Sequence, residues 1–546
     1  MIVLVSSSLS TYAHTVTCDP SQLKLLEYID ADRAWNTTAN LAGDRFEGRL
    51  AGTRSAESAS EFIASHFDSF GLKPAGTHGT YSSEFQTPMW QLTQMPKLQL
   101  VDPNGNALQN FTYRKDFAVQ PGSGSGNLSA EATFLGYGIS TEDYSYDDYG
   151  GIPTQGKIAL AIVGTPPSDK FRERDYGSWS SKADNALKRG VAGLVLVDSP
   201  AVPTPNYIER WSGGRTIYKN LAILWATAQT ADTLLKEVGM TLSSVQQLIN
   251  RELKPRSFAL SGLLRISVQV SFTESAKAYN VLAFVPGSDS AWKKVVIIGA
   301  HYDHLGKDVD GKIFRGANDD ASGVAVMMEI ARVFSIAARP RCSVLFAAWS
   351  GEEEGTRGSY AYVSKPYFPL TDTLAYLNLD MVGCGNQLVC EISEAHKDLR
   401  AVLAESVEEL HVSLQLQKYS GGSDHVSFER NKVANLMFIY WPDEAYHTPK
   451  DTADRISRKN LLETARLTAL IALKLSEASI AAITSGAPVS TTSAEKAIAT
   501  ETISSSTITA ATVIALVAAS GVFYLRRRIK QEQRVNFSTS VSSGDY

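Results

Sequence analysis

From Tyr279 onward the chain alternates short apolar runs with a helical pattern, and that alternation restricts it to a narrow set of folds. YNVLAFVPG (279–287), KVVIIGAH (294–301), CSVLFAAWS (342–350), LAYLNLDMVG (374–383) and ANLMFIYW (434–441) read as buried strands. SGVAVMMEIARVF (322–334) reads as an amphipathic helix. Apolar runs without polar alternation need cover on both sides. The expected fold is therefore α/β, a mostly parallel mixed sheet with helices on both faces. Ligand-binding residues of such sheets lie beyond the carboxyl ends of the strands.

Those strand ends share one chemistry. KVVIIGA runs into His301-Tyr302-Asp303, CSVLFAAWSG into Glu352-Glu353 and LAYLNL into Asp380. ANLMFIYW leads, after a short loop, to Tyr446-His447, and GANDDASG (316–323) sets Asp319 and Asp320 just ahead of the helix. Each residue alone has an ordinary explanation: a histidine in a hydrogen-bond network, an aspartate capping a helix, an acidic turn. Together they bring histidines and carboxylates to one sheet edge, where the carboxylates repel unless cations neutralise them. Two histidines with three carboxylates suit a zinc pair, and manganese or cobalt would also fit. Glu352 and Glu353 are adjacent acids, and a carboxylate bound to metal cannot also serve as a free base.

HYDHLG (301–306), GANDDASG, WSGEEEGTRGS (349–359), LNLDMVG (377–383) and YHTPKDTADRI (446–456) resemble, in order, the motifs of the dizinc aminopeptidase family. Carboxypeptidase Q and glutamate carboxypeptidase are relatives of that family. The resemblance covers residues 276–480, with FEGRLAGT (46–53) and the helix after it. It implies the zinc exopeptidase fold and two Zn2+ per chain. His301 and Asp380 would bind one ion and Glu353 and His447 the other, with Asp319 bridging. Glu352 would be the general base, taking a proton from a water held by the ions and passing it to the leaving amine. Asp303 would orient His301, and Tyr446 would donate to the developing oxyanion.

Asp320 stands where the family has asparagine and is left out of the ligand set. His304 and His425, the latter in GGSDHVSF (421–428), are expected in the pocket rather than on metal. Glu354 is expected to stay in a solvated turn. The implied activity is that of an aminopeptidase acting on peptides. The alternatives are a dizinc carboxypeptidase or dipeptidase, then a glutaminyl-cyclase-like transferase, then a non-catalytic receptor.

At 546 residues the chain exceeds one core. Residues 20–120 are expected to begin the peptidase domain and 273–482 to complete it. Between them, KIALAIVG (157–164), KADNALKRG (182–190) and AGLVLVD (192–198) read strand, helix, strand. This small α/β unit resembles a protease-associated domain, placed at 121–272. A net charge of −5 without a basic stripe argues against nucleic acid as a partner.

The run 508–525, ITAATVIALVAASGVFYL, is long enough as a helix to cross a bilayer, at about 1.5 Å per residue against a core of about 30 Å. Arg526-Arg527-Arg528-Ile529-Lys530 follows, which assigns the tail 526–546 to the cytoplasm. Residues 483–507 form a Ser/Thr-rich stalk, and MIVLVSSSLSTYA (1–13) reads as a weak signal peptide. The expectation is a single-pass membrane protein with its catalytic domain extracellular or lumenal. Cys18, Cys342, Cys384 and Cys390 are too few for a disulfide scaffold, but Cys384 and Cys390 could close a small loop in an oxidising compartment.

Overall fold

The structure, a computed structural model, describes residues 23–142, 144–171, 176–200, 217–336 and 340–477. The expected signal peptide, stalk, membrane span and cytoplasmic tail lie outside the described residues, as does Cys18. Among the described residues no helix is long and apolar enough to cross a membrane.

Among the described residues, the first of two large sheets has nine strands. Ser343–Trp349, Val295–His301, Thr373–Leu379 and Asn435–Trp441 form its parallel centre. Val270–Val285 flanks them on one side and Gln387–Ile392 on the other, each antiparallel to the central strand it borders, and Leu414–Gln417 pairs parallel to Gln387–Ile392 at the edge. The sheet is thus mixed, with parallel pairing concentrated at the centre rather than throughout. The reason lies in Val270–Val285, which pairs antiparallel with Ser82–Leu92 over most of its length and so needs no crossover helix.

Successive side chains of the central strands point to opposite faces. Val296, Ile298 and Ala300 pack with the helices Arg54–Ser69, Gly323–Ile336 and Arg458–Glu477. Val295 and Ile297 pack on the other side with Tyr362 and Phe428, from the helices Arg357–Ser364 and His425–Arg430. Cover on both faces explains why these strands carry no polar alternation.

The second sheet has eight strands, in the order Ala107–Phe111, Lys97–Val101, Ser257–Val268, Gly126–Leu135, Ile158–Ile162, Gly193–Val197, Ala222–Ala226 and Phe117–Val119. Its strands are drawn from residues between Lys97 and Val268. PGSGSG (121–126) is a crossover inside this sheet, carrying the chain from the edge strand Phe117–Val119 to the interior strand Gly126–Leu135.

Cys342, Cys384 and Cys390 are free thiols. The Cys384–Cys390 loop does not close, because Cys390 lies in the core of the first sheet while Cys384 Sγ sits 3.7 Å from Arg455 Nη2.

Candidate metal centre

All the expected ligands converge beyond the ends of the parallel strands, and all are buried. Asp319 lies between two groups. Its Oδ1 is 3.2 Å from His301 Nε2, and its Oδ2 is 3.0 Å from His447 Nε2. Asp380 Oδ1 lies 3.6 Å from His301 Nε2, and Glu353 Oε2 lies 3.3 Å from His447 Nε2. One carboxylate thus joins a His301/Asp380 cluster to a Glu353/His447 cluster. Desolvated imidazole nitrogens and carboxylate oxygens are the donor set of a zinc-class divalent ion. Carboxylates buried this closely need positive charge between them. The residues fit a zinc-class metal site.

Two further side chains come within ligand range, Asp320 beside His301 and Asp380, and His304 beside Asp319 and Glu353. Asp320 is engaged otherwise, while His304 Nε2 has no hydrogen-bond partner among the described residues. Asp320 Oδ1 accepts from the amides of Gly323 (2.9 Å) and Met381 (3.0 Å), and Oδ2 accepts from that of His301 (3.3 Å). It ties three segments together through their backbones. His304 Nδ1 lies 2.8 Å from Glu353 Oε1, which leaves Oε2 to face His447. His425 sits apart, with Nε2 3.3 Å from Glu391 Oε2. Gly316 is required where it stands: its φ is +54°, and an added Cβ would come 2.1 Å from the Asp319 carbonyl and 2.5 Å from His304 Cγ.

Asp303 holds two parts of the centre at once. Its carboxylate accepts from the amides of Glu352 (3.1 Å) and Glu353 (3.3 Å), and its Oδ1 lies 3.7 Å from His301 Nδ1. The two glutamates it anchors are driven apart in acidity. Burial lifts the Glu352 carboxyl well above its ordinary value, and Glu353, Asp424 and Asp380 add to this. Burial would also raise Glu353, but His447 and His304 hold it down at about 2.

Glu354 departs from expectation. It is 3% exposed rather than solvated. Gly355 and Thr356 both donate to the Glu352 carbonyl, and Arg357 Nε donates to that of Glu354, so the acidic run winds inward as a tight turn. Tyr446 stacks on the His447 ring with centroids 3.7 Å apart. Burial and the surrounding carboxylates keep its phenol protonated.

Sequence reasoning missed three residues that hold this centre. Arg49, in FEGRLAGT, is fully buried, and its guanidinium donates to the carbonyls of Tyr302 (2.5 Å), Leu41 (2.6 Å), Arg315 (2.8 Å) and Gly316 (2.8 Å). Asn318 Oδ1 accepts from Gly383 and Cys384, each at 2.8 Å. Asp451 accepts from the amide of Asn318 on Oδ1 (2.8 Å) and that of Asp319 on Oδ2 (3.0 Å). The available signal was polar residues inside motifs already noticed, each flanking a ligand or a glycine. Because Asp451 fixes the backbone of Asp319, Asp451→Asn should weaken divalent-metal binding about 10–100-fold, the usual cost of losing a residue that orients a ligand. Zinc titration of the stripped protein against a chromophoric chelator measures this.

Residues 280–472, from the flanking strand to the last helix, match peptidase family M28. The matched stretch resembles an M28 peptidase domain. Every expected ligand lies within that stretch, whereas Arg49 supports it from an earlier segment of the chain. A probable lipoprotein aminopeptidase of Mycobacterium tuberculosis is 27% identical over 288 residues, 53% of this chain and 47% of the relative. A probable glutamate carboxypeptidase of Zea mays is 23% identical over 486 residues, 80% of this chain and 64% of the relative. The chain thus spans about half to just under two thirds of the length of these curated relatives. The solved structure of a zinc aminopeptidase from Bacillus subtilis shares the fold, with a TM-score of 0.60 at 19% identity over 81% of this chain and 94% of the other.

Proposed function

We propose that this chain is a zinc-dependent exopeptidase, specifically an aminopeptidase that removes N-terminal residues from peptides with two Zn2+ held side by side. The observation that carries the reading is the Asp319 carboxylate, with one oxygen toward His301 and the other toward His447. The M28 match and the relatives named as aminopeptidases support it. His301, Asp319 and Asp380 would hold one ion, and Asp319, Glu353 and His447 the other. Bound there, the pair would polarise the scissile carbonyl and lower the pKa of a water to about 7.

The chain's own groups supply the rest. Glu352 takes a proton from the attacking water as the new C–O bond forms, and returns it to the amine nitrogen as the C–N bond breaks. Asp303 holds the Glu352 amide, fixing where the carboxylate can reach. Tyr446, protonated and stacked on His447, donates to the oxygen on which charge develops. The C-terminal apolar run with its basic flank supports placing this machinery outside the cytoplasm.

A carboxypeptidase is the second reading, favoured by the Zea mays relative, whose alignment extends over 80% of this chain. A substrate panel separates the two. Aminoacyl nitroanilides and peptides with free α-amines should be cleaved, while N-acetylated peptides should not. Release of C-terminal residues from the blocked peptides would replace the aminopeptidase reading. Active protein should also carry about two zinc ions per chain by elemental analysis, and full activity with one or none would sink the paired centre.

A further inference from the structure

A hairpin joins the second sheet to the metal centre. Between His301–His304 and Gly316–Asp320 the chain folds back on itself, Gly306–Lys307 pairing with Ile313–Phe314. Asp308, at the head of this hairpin, is gripped by the second sheet. Its Oδ2 accepts from Arg114 Nε (2.9 Å), Arg114 Nη2 (2.6 Å) and the Tyr113 hydroxyl (2.7 Å). The ion pair is dry, with side-chain exposures of 5% for Arg114 and 0% for Asp308. The Arg114 guanidinium also lies 5.2 Å over the Phe314 ring, and Val309 packs against the core of the second sheet.

On its inner side the hairpin is fastened to the turn around Arg49. Gly306 N donates to Gly48 O (2.9 Å) and His304 N to Arg49 O (3.2 Å). Arg114 holds a left-handed backbone with φ of 62°, which a non-glycine residue keeps where its surroundings fix it.

We infer that Arg114 and Asp308 are positioning residues of the metal centre, through which the second sheet sets the spacing between the His301–His304 segment and Asp319. The inference rests on reading that centre as a metal site. A buried ion pair that loses one partner leaves the other charge uncompensated, so the hairpin cannot move independently of Arg114. Metal ligands tolerate misplacement of only about 0.5 Å, so a freed hairpin would show in affinity.

The test uses the full chain, stripped of metal, with Arg114→Met, Asp308→Asn and the double variant. Lys182→Met serves as a control: this lysine is buried on the helix Trp179–Lys188 beside the second sheet, donating to Gly164 O (2.9 Å) and to Tyr137 O. Zinc affinity, read by chelator competition, should fall about 10–100-fold in either single variant. The double variant should be little worse than the singles, because both break the same ion pair. Amide hydrogen exchange over 301–320 should quicken in the metal-free clamp variants, and Lys182→Met should change neither reading. Arg114→Lys keeps the charge without the fork, should give an intermediate loss, and serves if Arg114→Met does not fold.

Unchanged affinity and exchange in folded clamp variants would overturn the inference. So would equal losses in Lys182→Met, which would make the effect one of general destabilisation. A wild-type chain that binds no zinc would count against the metal reading, and exchange over 301–320 would still decide whether the clamp couples.

Discussion

Glu352→Gln is expected to fold and to retain its zinc while kcat falls about 10²–10⁴-fold, the usual contribution of a general base. Glutamine has nearly the same shape, so packing at this buried position is preserved. Its amide cannot accept the proton of the attacking water, and it has none to return to the leaving amine. Stability should not suffer, because a neutral amide fits a buried position where burial, Glu353, Asp424 and Asp380 all disfavour a charge. KM should change little, since the lost interaction belongs to the transition state. Zinc content, thermal midpoint and steady-state kinetics on one preparation check all three statements. Near-normal turnover with both ions bound would remove Glu352 from the base role. The neighbouring Glu353→Gln should behave differently, losing metal first.

The sheet that carries this chemistry was legible because its rules are local. Apolar runs at 294–301 and 342–350 specify buried strands, and the polar residues that end them fall on one edge because parallel strands share a direction. The roles of residues that act at a distance were not legible. Nothing in the periodicity of FEGRLAGT aims Arg49 at carbonyls of Tyr302 and Gly316, more than 250 positions away. Glu354 misled for a related reason: an acidic triplet reads as a solvated turn unless the chain around it winds inward, as it does through the Glu352 carbonyl. PGSGSG was legible as a break but not as a crossover within one sheet, since strand partners are set by tertiary pairing.

Arg49→Met is expected to lower stability by about 3–5 kcal/mol, the cost of removing one partner from a buried charge network. Methionine occupies similar volume and leaves little cavity, so the loss is electrostatic and hydrogen-bonded in origin. Burial pulls the Arg49 guanidinium down to about 10, with Asp451, Asp303, Asp319 and Asp320 opposing that shift, and at neutral pH it remains charged. Without it, the carbonyls of Leu41, Tyr302, Arg315 and Gly316 lose a buried donor, and those aspartates lose a permanent counter-charge. Zinc bound at Asp319 would neutralise part of the same negative charge. The penalty should therefore be larger in metal-stripped protein than in zinc-loaded protein, compared by denaturant unfolding in each state. Arg49→Lys should recover the charge term but not the fork, and so fall between wild type and Arg49→Met. A loss below about 1 kcal/mol, equal in both states, would be the size of an ordinary exposed ion pair. It would mean that the backbone of the metal centre stands without Arg49.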